Sequence, residues 1–122
     1  MDPKQIALTF IKENFDKYGI EWINKKRVSE DFKFLIFGLP NKGKQIGIYG
    51  RSKTIIRIEN YNQDFDGVTK LTKCAKSAAS EASFSNFKNQ KGVCVEVKNI
   101  KALEKLLDWY FNILPDGRLN RL

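Results

Sequence analysis

Between residues 32 and 59 the chain is cut into three short apolar runs by two clusters of turn residues, and nothing else in the sequence restricts its fold as much. The runs cover residues 32–39, 45–49 and 54–59, and the breaks are Pro40-Asn41-Lys42-Gly43 and Gly50-Arg51-Ser52-Lys53. Runs of this length, punctuated by Gly, Pro and Asn, predict a three-stranded antiparallel meander. Phe32, Phe34 and Ile36 alternate along the first run, as do Ile46 and Ile48 in the second and Ile56 and Ile58 in the third. Period-two alternation predicts one face packed on helices and a second face carrying Lys33, Tyr49 and Arg57.

Helical spacing flanks this meander. Asp2 is placed to cap a helix whose first turn accepts Pro3; Leu8, Ile11, Phe15 and Tyr18 then recur every three or four residues, and Gly19 supplies a stop. Residues 20–28, with Trp22 followed by Lys25-Lys26-Arg27, read as an extended segment or short strand leading into a basic turn. After a polar loop at 61–67, Val68, Leu71, Ala75, Ala78 and Ala82 share a helical face, which predicts a central helix over about 68–82 with Lys70, Lys73 and Lys76 on its exposed side. Residues 93–97 are short, β-branched and apolar, as in a buried strand. Asn99 is then placed to cap a last helix striped by Ile100, Leu103, Leu106, Leu107, Tyr110 and Phe111 and ended by Pro115 and Gly117.

The predicted order is αβββαβα, an α+β fold of one domain over residues 1–117 with a frayed tail at 118–122. A length of 122 residues suits one core, and 42% hydrophobic with 12% aromatic content is enough to build it. The αβββα portion is similar to double-stranded-RNA-binding modules in the order of elements alone, and no residue role is carried over from them.

Charge is the main functional signal. Lys and Arg outnumber Asp and Glu by 22 to 14, a net +8 with no histidine. Between Lys42 and Lys91 stand ten basic residues (Lys42, Lys44, Arg51, Lys53, Arg57, Lys70, Lys73, Lys76, Lys88, Lys91) against four acidic ones (Glu59, Asp64, Asp66, Glu81), a net of +6. The predicted function is nucleic-acid binding, DNA ahead of RNA, with phosphate contacts from the hairpin turns and the central helix. Phe84 and Phe87, with Lys88 and Lys91, would add an aromatic-basic loop able to stack a base. Set against this, lysines beside tight turns keep a sheet soluble and its edges unpaired, and loop phenylalanines serve as core plugs. Trp22 and Trp109 sit where core or interface aromatics are expected. An alternative partner for the same surface is an acidic protein, with the chain acting as a small regulator or inhibitor of phage or mobile-element type.

Catalytic readings are narrow. Without histidine there is no Ser-His or Cys-His nucleophile and no His-ligated zinc, and no phosphate-cradling glycine motif is present. Glu96-Val97-Lys98 matches the E-x-K unit of Mg²⁺-dependent nucleases, in which a carboxylate holds the metal and the lysine polarises water. Its upstream carboxylate would have to be Asp64 or Asp66, and a strand ending in alternating charges explains the tripeptide as well. Neither a cofactor nor a metal site is predicted. Cys74 and Cys94 fit no metal spacing and read as reduced structural thiols of a cytoplasmic protein. The first residues lack a signal-like apolar run, and no stretch is long enough to span a bilayer.

Overall fold

The computed structural model describes residues 2–26, 29, 35–40, 44–49, 53–72 and 92–113. Six strands form one sheet: β1 (Glu21–Trp22), β2 (Leu35–Gly38), β3 (Gln45–Tyr49), β4 (Thr54–Ile58), β5 (Val68–Lys70) and β6 (Val93–Val97). Their spatial order is β1-β2-β3-β4-β6-β5, and every neighbouring pair is antiparallel. Helices α1 (Pro3–Glu13), the one-turn α2 (Phe15–Tyr18) and α3 (Ile100–Tyr110) complete an α+β fold. The β2-β3-β4 meander stands as predicted, and β6 joins it beside β4.

Local chemistry starts the first and last helices where the sequence placed them, but the first is interrupted at Asn14 before its predicted stop at Gly19, and the last ends at Tyr110, ahead of the predicted stop at Pro115 and Gly117. The Asp2 carboxylate accepts from the Gln5 backbone N–H at 2.8 Å with Pro3 in the first turn, and Asn99 Oδ1 accepts from Ala102 N–H at 2.8 Å. Gly19 closes α2 with φ 65°, a left-handed backbone that glycine adopts without strain. Helix α1 lies on β3 and β4, and α3 on β5, β6 and α1. Together they cover the sheet face built from Leu35, Phe37, Ile46, Ile48, Ile56, Ile58, Val95 and Val97.

The far end of α3 is fastened to the meander through Tyr110. Tyr110 Oη donates to the Gln45 carbonyl at 2.9 Å and accepts from the Glu59 N–H at 3.1 Å, while Lys44 Nζ donates to the Tyr110 carbonyl at 2.8 Å. Tyr18 Oη donates to Asp108 at 3.0 Å, and Lys17 pairs with the same carboxylate at 3.1 Å, tying α2 to α3.

Three expectations are corrected. Residues 68–70 are strand, not the start of a helix: Val68, Thr69 and Lys70 pair with Val97, Glu96 and Val95. A three-residue strand offers little periodicity to read, and its pairing partner lies more than twenty residues downstream. Second, the first meander strand turns Leu35 and Phe37, not Ile36, toward the helices, because Ile36 lies opposite Gly47 and Phe37 opposite Ile46. Third, the middle of the opposite sheet face is not solvated: Ile36 and Arg57 are 0% exposed and Cys94 1%, and only toward Thr69 and Glu96 does this face open. With both faces buried, β2 is apolar at successive positions, so alternation does not report its register. Phe32, Lys33, Phe34, residues 73–91 and the predicted tail lie outside the described residues.

Candidate nucleic-acid interface

Of the predicted contact residues, Lys44, Lys53, Arg57 and Lys70 are described; Lys42, Arg51, Lys73, Lys76, Phe87, Lys88 and Lys91 lie outside the described residues. Lys44 and Lys53 do not come together. Each immediately precedes its strand, and the antiparallel register of β3 and β4 sets Lys44 level with Asn60, seven residues from Lys53, so the two lysines stand roughly 23 Å apart along the strand direction. Lys44 is half-buried, with its ammonium 5.0 Å from the centre of the Tyr110 ring. Lys53 is exposed and lies 3.6 Å from Glu96. Lys70 is exposed on the edge strand, so the helical row of Lys70, Lys73 and Lys76 does not begin where it was expected.

Arg57 is the clearest correction. It is wholly buried, opposite Gly47 and Cys94 on the second sheet face, and cannot reach a phosphate in this fold. Burial lowers the pKa of its guanidinium, with the neighbouring Tyr49 opposing that shift. A basic residue at an alternating position reads as solvent-facing only if one sheet face is wet, and around Arg57 neither is.

Among the described residues the E-x-K unit stands in no metal centre. Glu96 pairs with Lys53, and Asp64 and Asp66 are exposed in the loop before β5. Among the described residues no group of three His, Cys, Asp or Glu side chains is arranged to hold a metal ion.

The sheet edge at β1 carries an arrangement that the sequence reading had not assembled. Phe15 and Trp22 flank Phe37, with ring centroids 5.8 and 6.0 Å from it, and with Lys12, Glu21 and Lys25 they line an open groove of about 450 Å³. Trp22 is held in place: its indole N–H donates to Asn24 Oδ1 at 2.8 Å, and that same oxygen, on a buried side chain, accepts from the Ile36 N–H at 3.1 Å. Lys25 and Lys26 are exposed in the turn that follows. A fixed, half-exposed indole beside cations is the chemistry that stacks a base and neutralises its phosphate. The signal was present as Trp22 followed by Lys25-Lys26-Arg27, but Lys12 and Phe15 join it only when α1 and α2 pack beside β1.

No protein-family model, curated protein or solved structure matches this chain.

Cys94, expected as a free thiol, is disulfide-bonded. It also accepts a hydrogen bond from the Tyr49 hydroxyl at 3.3 Å. The chain's one other cysteine, Cys74, lies outside the described residues. No helix among the described residues is long and apolar enough to cross a membrane.

Proposed function

We propose that this chain binds nucleic acid with little sequence preference, stacking an unpaired base in the β1 groove and neutralising the flanking phosphates with lysines. The observation that carries this reading is the groove itself: two rings, Phe15 and Trp22, bordered by Lys12 and Lys25 on a protein of net charge +8. Lys26 beside the groove, and Lys53 and Lys70 on the sheet, add exposed positive charge. Glu21 in the groove wall opposes it locally, so the cations and the indole must outweigh one carboxylate.

Stacking on an aromatic side chain contributes about 1–3 kcal/mol per base, and each phosphate contact adds a salt-dependent increment. Binding of labelled single-stranded and duplex DNA and RNA by wild type, Trp22→Phe, Trp22→Ala and a Lys25→Glu/Lys26→Glu pair tests the assignment. Expected are about tenfold weaker single-strand binding for Trp22→Ala, a smaller loss for Trp22→Phe, and loss of at least about tenfold for the charge reversal at low salt. Unchanged affinity in the charge-reversal pair would remove the groove from the interface. Failure to bind any nucleic acid at low salt would turn the search to an acidic protein partner for the same surface. Disulfides persist in oxidising compartments, so a cytoplasmic location depends on the redox state of Cys94 in the cell.

A further inference from the structure

On the sheet face turned away from the helices, a cation and a hydroxyl flank one sulfur. Cys94 on β6 stands directly opposite Arg57 on β4, so the two side chains leave the sheet on the same side with Cβ atoms about 5 Å apart. Tyr49, on β3, reaches across β4 and donates its hydroxyl to Cys94 Sγ at 3.3 Å. The same Tyr49 is close enough to Arg57 to oppose the effect of burial on its guanidinium. Cys94 is 1% exposed and Arg57 0%, so water does little to screen the group. Glu96, the next residue of β6 on this face, is engaged by Lys53 at 3.6 Å.

Cys94 is disulfide-bonded. A bridge that served only as a crosslink would need no buried cation beside it, and an apolar neighbour would fill the same place without the cost of desolvating a charge. The two neighbours suit the sulfur once the bridge is broken. An anionic sulfur accepts a stronger hydrogen bond than a neutral one, and a guanidinium withdrawn from water gains from an anion next to it. In thiol–disulfide exchange one sulfur is attacked and the other departs as thiolate, faster the more stable that thiolate is. Because Cys94 is buried, an incoming thiolate attacks the sulfur bonded to it, and Cys94 is the sulfur that leaves, its charge received by Arg57 and Tyr49.

We propose that this bridge is a reversible redox latch on β6, opened by low-molecular-weight thiols of the glutathione class, with Cys94 as its leaving sulfur. The first thiol forms a mixed disulfide with the sulfur that Cys94 gives up, and Cys94 departs with the bonding electron pair. A second thiol then displaces the protein from that mixed disulfide. Two external thiols are oxidised to one external disulfide, and the bridge is reduced to two protein sulfurs that take up or release the protons to solvent. Opening removes a covalent tie on β6, and closing restores it when the external thiol pool is oxidised. The latch spans β3, β4 and β6 on the face opposite the helices, apart from the β1 groove, and does not depend on nucleic-acid binding.

The oxidised full chain, held without oxygen in a series of reduced-to-oxidised glutathione ratios, then alkylated and weighed by mass spectrometry, tests the proposal. The wild-type bridge should open within that series, whereas a structural disulfide resists the glutathione pool. In a second measurement, at one fixed dithiothreitol concentration, Tyr49→Phe should open about fivefold more slowly than wild type, for want of the hydrogen bond to the departing thiolate. Arg57→Lys, which keeps the charge, should slow opening less than Arg57→Gln. The sign separates this role from a packing role, because a variant that only loosened the sheet would expose the bridge and speed its opening. Tyr49→Phe keeps the ring, so the test stands even where a replacement of buried Arg57 fails to fold. A wild-type bridge that survives every glutathione ratio, or a Tyr49→Phe chain that opens at the wild-type rate or faster, would overturn the assignment.

Discussion

Arg57 shows how much one side chain can mislead when its charge is read without its surroundings. In sequence it is one of ten basic residues in the most positive stretch; in the fold it has no exposed surface. Removing a buried charged group strands whatever groups it satisfies, so Arg57→Ala should cost about 3 kcal/mol in urea unfolding while leaving the salt dependence of nucleic-acid binding unchanged. A shallower salt slope in that variant would return Arg57 to the interface. Tyr110 is a second residue whose part is structural. Replacing it with Phe leaves the Gln45 carbonyl and the Glu59 N–H without their shared partner, at a cost of about 1–3 kcal/mol. Burial also raises the phenol pKa values of Tyr18 and Tyr110, with Asp108 reinforcing the shift at Tyr18. Between about pH 10 and their raised values the folded chain keeps protons that the unfolded chain has released. Stability is therefore level below about pH 10 in this respect and falls as pH rises beyond it. Tyr110→Phe should flatten part of that fall in a pH series of urea midpoints.

Among the elements, those fixed by neighbouring residues were legible and those fixed by distant pairing were not. Asp2 with Pro3, Gly19 and Asn99 mark helix ends through contacts within three residues, so the sequence carries the whole signal. The meander was equally readable because its strands follow one another across short turns. Strand β5 was not, since Val68, Thr69 and Lys70 become strand only by pairing with β6. The β1 groove escaped the sequence reading for a related reason: Lys12, Phe15, Trp22 and Lys25 come from three elements, and no spacing rule joins them. Gly67 shows how tightly β5 is set. Its φ is 82°, and a Cβ there would stand 2.9 Å from Ala102 Cβ on α3. Gly67→Ala should therefore cost about 1–3 kcal/mol, more than its helix-capping counterpart Asn99→Ala at about 1 kcal/mol, as read from thermal unfolding of the two variants. Equal, small losses would mean that the turn yields easily.

For the whole molecule, the net charge and the α+β class came directly from composition and patterning, whereas the division of that charge into buried, engaged and exposed groups came only with the fold. Arg57 is buried, Lys44 is engaged by Tyr110, and Lys53 stands near Glu96; Lys25, Lys26 and Lys70 are exposed. Thiol titration of the denatured, unreduced chain should find no free thiol, in keeping with the disulfide at Cys94; two reactive thiols would contradict it. The central claim is that exposed lysines around the Trp22 groove bind the phosphates of a single strand, and its most direct test is the equilibrium affinity for a labelled single-stranded oligonucleotide across a salt series. With Lys12, Lys25 and Lys26 as the contacts, log K should fall against log salt with a slope of about −2, becoming shallower by more than about one unit in Lys25→Glu/Lys26→Glu. A flat salt dependence, or a slope that the charge reversal leaves intact, would contradict the account.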